Sequence, residues 1–98
     1  MTEQSGQGFQ PIDQVQPQER VAVRGIIVAS VPMALRGCPA CRCVLADATG
    51  ELDLIFLGRI EVPGLEPGRR CIAEGTAAAR DYRIVLWNPR YQLEESWR

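Results

Sequence analysis

Histidine and lysine are both missing from this 98-residue sequence. The first absence removes the commonest general base and the commonest metal ligand. No glycine-rich phosphate loop and no carboxylate pair at a motif spacing stand in for them, so the chain is expected to be non-catalytic. Aromatic residues are scarce, at 6%, which limits any stacking surface. No apolar run is long enough to span a membrane. The start, MTEQSGQGFQPIDQ, has neither a basic cluster nor an apolar stretch and does not read as a secretory signal. These absences place the protein in the cytoplasm, where thiols stay reduced unless they hold metal or do redox work. Net charge is −1, so no global positive field draws in nucleic acid.

What is present is ordinary for one small globular domain: 46% hydrophobic and 23% charged residues. All 11 basic residues are arginine. High-GC codon usage explains that bias. Arginine forks also suit phosphate binding and base stacking, and the two explanations are compatible.

Residues 1–11 are polar and unpatterned and read as a disordered leader; residues 12–95 form the domain, and 96–98 a tail. The domain reads as a series of short strands. Val21–Val31 is the first, with Gly25 marking a bulge or sharp coil and Pro32 closing it. A loop is expected from Pro32 to Pro39, then a second strand over Cys41–Ala46. The turn Asp47-Ala48-Thr49-Gly50 joins it to a third strand, Glu51–Leu57. IEVPGLEPG, residues 60–68, is too broken by proline and glycine for a helix. Arg69–Thr76 is a fourth strand, Ala77–Asp81 its turn, and Tyr82–Trp87 a fifth, which resumes after Asn88-Pro89 at Arg90–Leu93. The set is all-β: five short strands with little or no helix between strands three and four, matching a five-stranded Greek-key OB barrel.

GCPACRC, residues 37–43, raises a metal question. Side chains alternate along a strand. Arg42 marks the outward face of the second strand, so Cys41, Cys43 and Leu45 point inward. Arg70 and Glu74 likewise place Cys71 inside. These three thiols then serve as small core hydrophobes. Only Cys38 falls outside this pattern. A zinc site drawn from Cys38, Cys41, Cys43 and Cys71 is the alternative, although the second Cys-x-x-Cys knuckle is missing. A Cys38–Cys41 redox pair is disfavoured because the motif leads into a strand. No cofactor is expected.

Val21 to Leu93 resembles OB-fold nucleic-acid-binding domains of the anticodon-binding type. The resemblance is carried by VAVRG, VLADATGELDLIFLGR, LEPGRRCIAEG and IVLWNPRYQL. Related modules occur in class II aminoacyl-tRNA synthetases and branched-DNA helicases, and the likeness extends to small stand-alone OB proteins of high-GC bacteria. GCPACRC departs from the usual pattern. The resemblance implies binding of single-stranded DNA or RNA across strands two and three and their flanking loops.

Candidate phosphate contacts are Arg36, Arg42, Arg59, Arg80 and Arg83, and Tyr82 is the best-placed stacking ring. If Leu52, Leu54 and Phe56 face in, then Asp53, Ile55 and Leu57 face out; Phe56 is exposed only if the strand coils. Trp87 and Tyr91 read as core or lower-rim residues. One stacking ring implies weak, salt-dependent binding, and Arg42→Ala/Tyr82→Ala should abolish it while leaving the fold intact. Exposed Val44, Ile55, Leu57 and Ile72 support a second reading, a protein-binding adaptor or homodimer.

Overall fold

The computed structural model describes residues 8–94. The strands are β1 (Arg20–Leu35), β2 (Cys38–Ala46), β3 (Glu51–Leu57), β4 (Arg70–Arg80), β5 (Arg83–Trp87) and β6 (Arg90–Glu94), preceded by a 3-10 turn at Ile12–Gln14. No α-helix occurs among the described residues. Neighbours run β1-β2-β3-β5-β4, and β4 pairs back onto β1, closing a ring. Among the described residues only the β3–β5 pairing is parallel. β5 and β6 lie end to end along β4, pairing with Ala77–Arg80 and Arg70–Glu74 respectively. They are two halves of a fifth barrel strand. Asn88-Pro89 interrupts it: proline has no N–H for the ladder, and Asn88 has φ 47°.

Gly25 sits where β1 leaves β4 for β2. A Cβ there would collide with the carbonyl oxygen of Ala46. The glycine lets the two strands approach closely where the barrel closes. The expected bulge is displaced to the next turn of the strand: the β1–β2 register shifts between Ile27 and Ala29.

Two expected loops are strand instead. β1 continues through Pro32, which pairs with Cys41, and the connection to β2 is only Arg36-Gly37, with φ 52° and 80°. Both values are positive, as a two-residue hairpin turn requires. Proline is tolerated because β4 pairing ends at Ile26, leaving the far part of β1 bonded on one side only. Similarly, Ala77–Arg80 extends β4 against β5, and the turn shrinks to Asp81-Tyr82. Cross-strand pairing, which no local propensity reports, decides both cases.

The interior holds Val23, Ile27, Cys41, Cys43, Leu45, Leu52, Leu54, Phe56, Cys71, Ala73 and Leu86. Ile12 and Val15 join it at the end of the barrel that carries the β2–β3 turn; Val62 and Leu65, from the segment after β3, join it at the other. That segment does the plugging that a β3–β4 helix would otherwise do. Tyr91 packs edge-on to Phe56, centroids 5.6 Å apart, and donates its hydroxyl to the Pro63 carbonyl at 3.3 Å. Asp47 ties the first end together. Its carboxylate accepts from the backbone N–H of Ile12 (3.0 Å), Thr49 (2.7 Å) and Gly50 (3.2 Å), and from the Thr49 hydroxyl (2.6 Å). Of the expected leader, residues 1–7 lie outside the described residues, as does the 96–98 tail. Gln10 donates its N–H to Ala22, and Phe9 lies under Arg24 at 5.2 Å.

Candidate nucleic-acid interface

Alternation places Arg42 and Val44 of β2, Asp53, Ile55 and Leu57 of β3, and Arg83, Val85 and Trp87 of β5 on the barrel's outer face. Register brings them together: Arg42 opposes Ile55, Val44 opposes Asp53, Asp53 opposes Val85 and Ile55 opposes Trp87. The sides are as expected, but the exposure is not. Ile55 is 0% exposed and Asp53 2%, and Val44 is also buried; Leu57 remains 42% exposed. The cause is the long β1–β2 hairpin. It curls so that Met33 and Leu35 pack, with Ala40, on Ile55 and Val85. A second small apolar cluster therefore sits outside the barrel wall.

Asp53 is covered by arginine. Arg42 Nε lies 3.1 Å from its Oδ2. Arg83 donates from Nε at 3.1 Å to both oxygens and from Nη2 at 2.8 Å to Oδ1. Nη2 also lies 3.5 Å from Glu51. The hydrogen bond to Asp53 pushes the Arg83 pKa above its already high value, so this guanidinium stays charged. A carboxylate so deeply placed requires such partners. Arg42 therefore shares a buried acid with Arg83 instead of standing free on the surface.

The other candidates separate. Arg80 pairs loosely with Asp81 at 3.7 Å. Arg59 lies over the Phe56 ring at 5.7 Å, toward the end of the barrel rather than its outer wall. Arg36, at the hairpin tip, makes no ion pair among the described residues. Tyr82 occupies the β4–β5 turn at φ 65°, and its side chain is fully exposed. Thus β2, the end of β4, the start of β5 and the two turns carry Arg36, Arg42, Arg80, Tyr82 and Arg83, but three of these arginines are already matched to acids.

Trp87 is the aromatic that reading the sequence misplaced. It is 36% exposed on the outer face, beside a cleft of about 450 Å³ that Arg20, Thr76, Ala78 and Arg90 also line. The signal was available: if Ile84 and Leu86 point in, Trp87 must point out. Tyr91, by contrast, packs against the core as expected.

The thiols do not assemble a ligand set. Cys38 and Cys41 are three residues apart on one strand, so they face opposite sides of the sheet. Cys38 is exposed while Cys41, Cys43 and Cys71 are buried, and all four are free. Cys41 and Cys43 Sγ lie 3.8 Å apart, and the Ser30 hydroxyl is within 3.7 Å of both. Burial pushes the Cys43 thiol up to about 12 and the Cys71 thiol to about 11, away from the thiolate that a metal needs. No group of three or more Cys, Asp or Glu side chains among the described residues is arranged to hold a metal ion.

No protein-family model matches the chain, and no curated protein matches it. Solved structures do. RecG bound to a three-way DNA junction superposes with a TM-score of 0.74 at 17% identity, over 89% of this chain and 13% of that one. The chain thus spans about an eighth of the RecG polypeptide. The second OB-fold domain of replication protein A from Methanococcus maripaludis superposes with a TM-score of 0.67 at 15% identity, over 91% of this chain and 98% of that domain. At such identities the likeness establishes the fold: this is an OB barrel.

Proposed function

We propose that this chain is a non-catalytic nucleic-acid-binding OB module that holds single-stranded DNA or RNA weakly against its outer face. The observation that carries the reading is Tyr82. An aromatic residue with φ 65° is strained, because the left-handed region costs about 1–2 kcal/mol for a residue with a Cβ. Glycine or asparagine is the usual occupant of this turn position. Here the turn instead holds out a fully exposed ring between Arg80 and Arg83. An exposed ring is what stacking on a base requires. The RecG structure has DNA bound, which agrees with this reading of the shared fold.

The test is fluorescence anisotropy of labelled oligo-dT and oligo-U at two salt concentrations, with Tyr82→Gly alongside the parent. Losing the ring should weaken binding by about 1–3 kcal/mol. The same change should raise stability by about 1 kcal/mol, because glycine relaxes the turn. Binding unchanged in Tyr82→Gly would remove Tyr82 from the site.

A second reading, a protein-binding adaptor or homodimer, is favoured by Val31 and Leu57. They stand 43% and 42% exposed at the borders of the outer apolar cluster. It predicts a defined oligomer by light scattering and no oligonucleotide binding at tens of micromolar protein.

A further inference from the structure

The cleft beside Trp87 lies on a different part of the barrel wall from the Asp53 cluster. Arg20 opposes Thr76 on β4, and the β4–β5 register, Ala77 against Leu86 and Ala78 against Val85, brings Trp87 alongside Thr76. Thr76 and Ala78 are small, so β4 offers a low floor next to the tall indole. Trp87 is paired in register with the fully buried Ile55, yet 36% of its own surface stays exposed. Among the described residues no acceptor takes its indole N–H, where packed tryptophans usually find one.

The charges differ as well. Arg42, Arg83, Asp53 and Glu51 sum to zero. Arg20 and Arg90 make no ion pair among the described residues, and Glu74 is the only acid lining the cleft, which leaves one net positive charge. An apolar ring with two uncommitted guanidiniums matches a base flanked by phosphates better than it matches an apolar peptide.

We infer that this cleft is a base-stacking subsite: Trp87 stacks one base of a single strand, and Arg20 and Arg90 take the phosphates on either side. The inference rests on the nucleic-acid reading above and changes its path. Trp87 ends β5, the strand that follows the Asp81-Tyr82 turn, about 13 Å from Arg83 at its start. The nucleic acid then runs along β5, from the Asp81-Tyr82 turn to the cleft, rather than across the neutralised centre of β2 and β3.

Trp97→Phe makes Trp87 the sole tryptophan. Titrating this full-length variant with oligo-dT, by intrinsic emission and by anisotropy of labelled oligo-dT in parallel, separates the two ideas. Saturable quenching of Trp87 that tracks the anisotropy is the expected result. In the same background Arg20→Gln/Arg90→Gln should flatten the slope of log K against log salt by about 1.4, about 0.7 for each lost phosphate contact. Binding by anisotropy with unchanged Trp87 emission and an unchanged salt slope overturns the subsite and leaves the nucleic-acid reading standing. No anisotropy change at tens of micromolar protein overturns both.

Discussion

Two stretches of the barrel's outer wall carry arginine, and they use it in opposite ways. Around Asp53, Arg42 and Arg83 point their guanidiniums into the protein and neutralise a carboxylate that is 2% exposed. Around Trp87, Arg20 and Arg90 make no ion pair among the described residues, although Glu74 lines the same cleft. The residue type is the same, and so are the strand geometry and the face of the sheet. An arginine is available to a ligand only where the fold has not already committed it, so a count of surface arginines overstates the cationic surface.

The largest test of that contrast removes both partners of the acid. Arg42→Ala/Arg83→Ala strands Asp53 and should destabilise the fold by about 3 kcal/mol, the low end for an unpaired buried charge, because water reaches the site through the one-third-exposed guanidiniums. Urea denaturation measures it. A loss below about 1 kcal/mol would mean that Asp53 is solvated in solution.

Removing the acid instead sharpens the contrast. Asp53→Asn keeps the shape and frees both arginines. Stability should fall by about 1.5–3 kcal/mol, the worth of hydrogen bonds between charged groups. Oligonucleotide binding should tighten, with a salt slope steeper by up to about 1.4. Unchanged or weaker binding would show that the freed arginines do not meet the ligand.

Asp47 gives the smallest effect and a different kind of acid, one held by dipoles rather than by cations. Partial burial alone would raise its pKa; hydrogen bonds from the Thr49 hydroxyl and from the Ile12, Thr49 and Gly50 backbone outweigh it and hold the carboxyl below its ordinary value. A lowered folded value means that its stabilisation is complete above the unfolded pKa, about 3.9, and is lost as pH falls through the folded one. Asp47→Ala should therefore cost about 1 kcal/mol at pH 7, comparable to losing a helix cap, and progressively less below pH of about 4. A penalty independent of pH would assign the effect to packing.

Much of the barrel was legible residue by residue. Arg42 between Cys41 and Cys43, and Arg70 and Glu74 around Cys71, identified the inward thiols because a charge and a core residue cannot share a face. The same rule, applied past Leu86, would have turned Trp87 outward. Pro32 misled because proline ends a strand only where its missing N–H has a neighbour to serve, and the far part of β1 has none on that side. Ile55 and Asp53 misled in the other direction. They do point outward, but the curl of the β1–β2 hairpin and two arginine side chains cover them.

By itself, then, the sequence determined the central part of each strand and its inward face, because period-two alternation and turn chemistry act over a few neighbouring residues. Only the tertiary structure decided which outward residues meet solvent and which arginines remain uncommitted. Asp53 and Arg83 are 30 positions apart in the chain, and the strand pairings that unite them follow from barrel closure rather than from any local pattern.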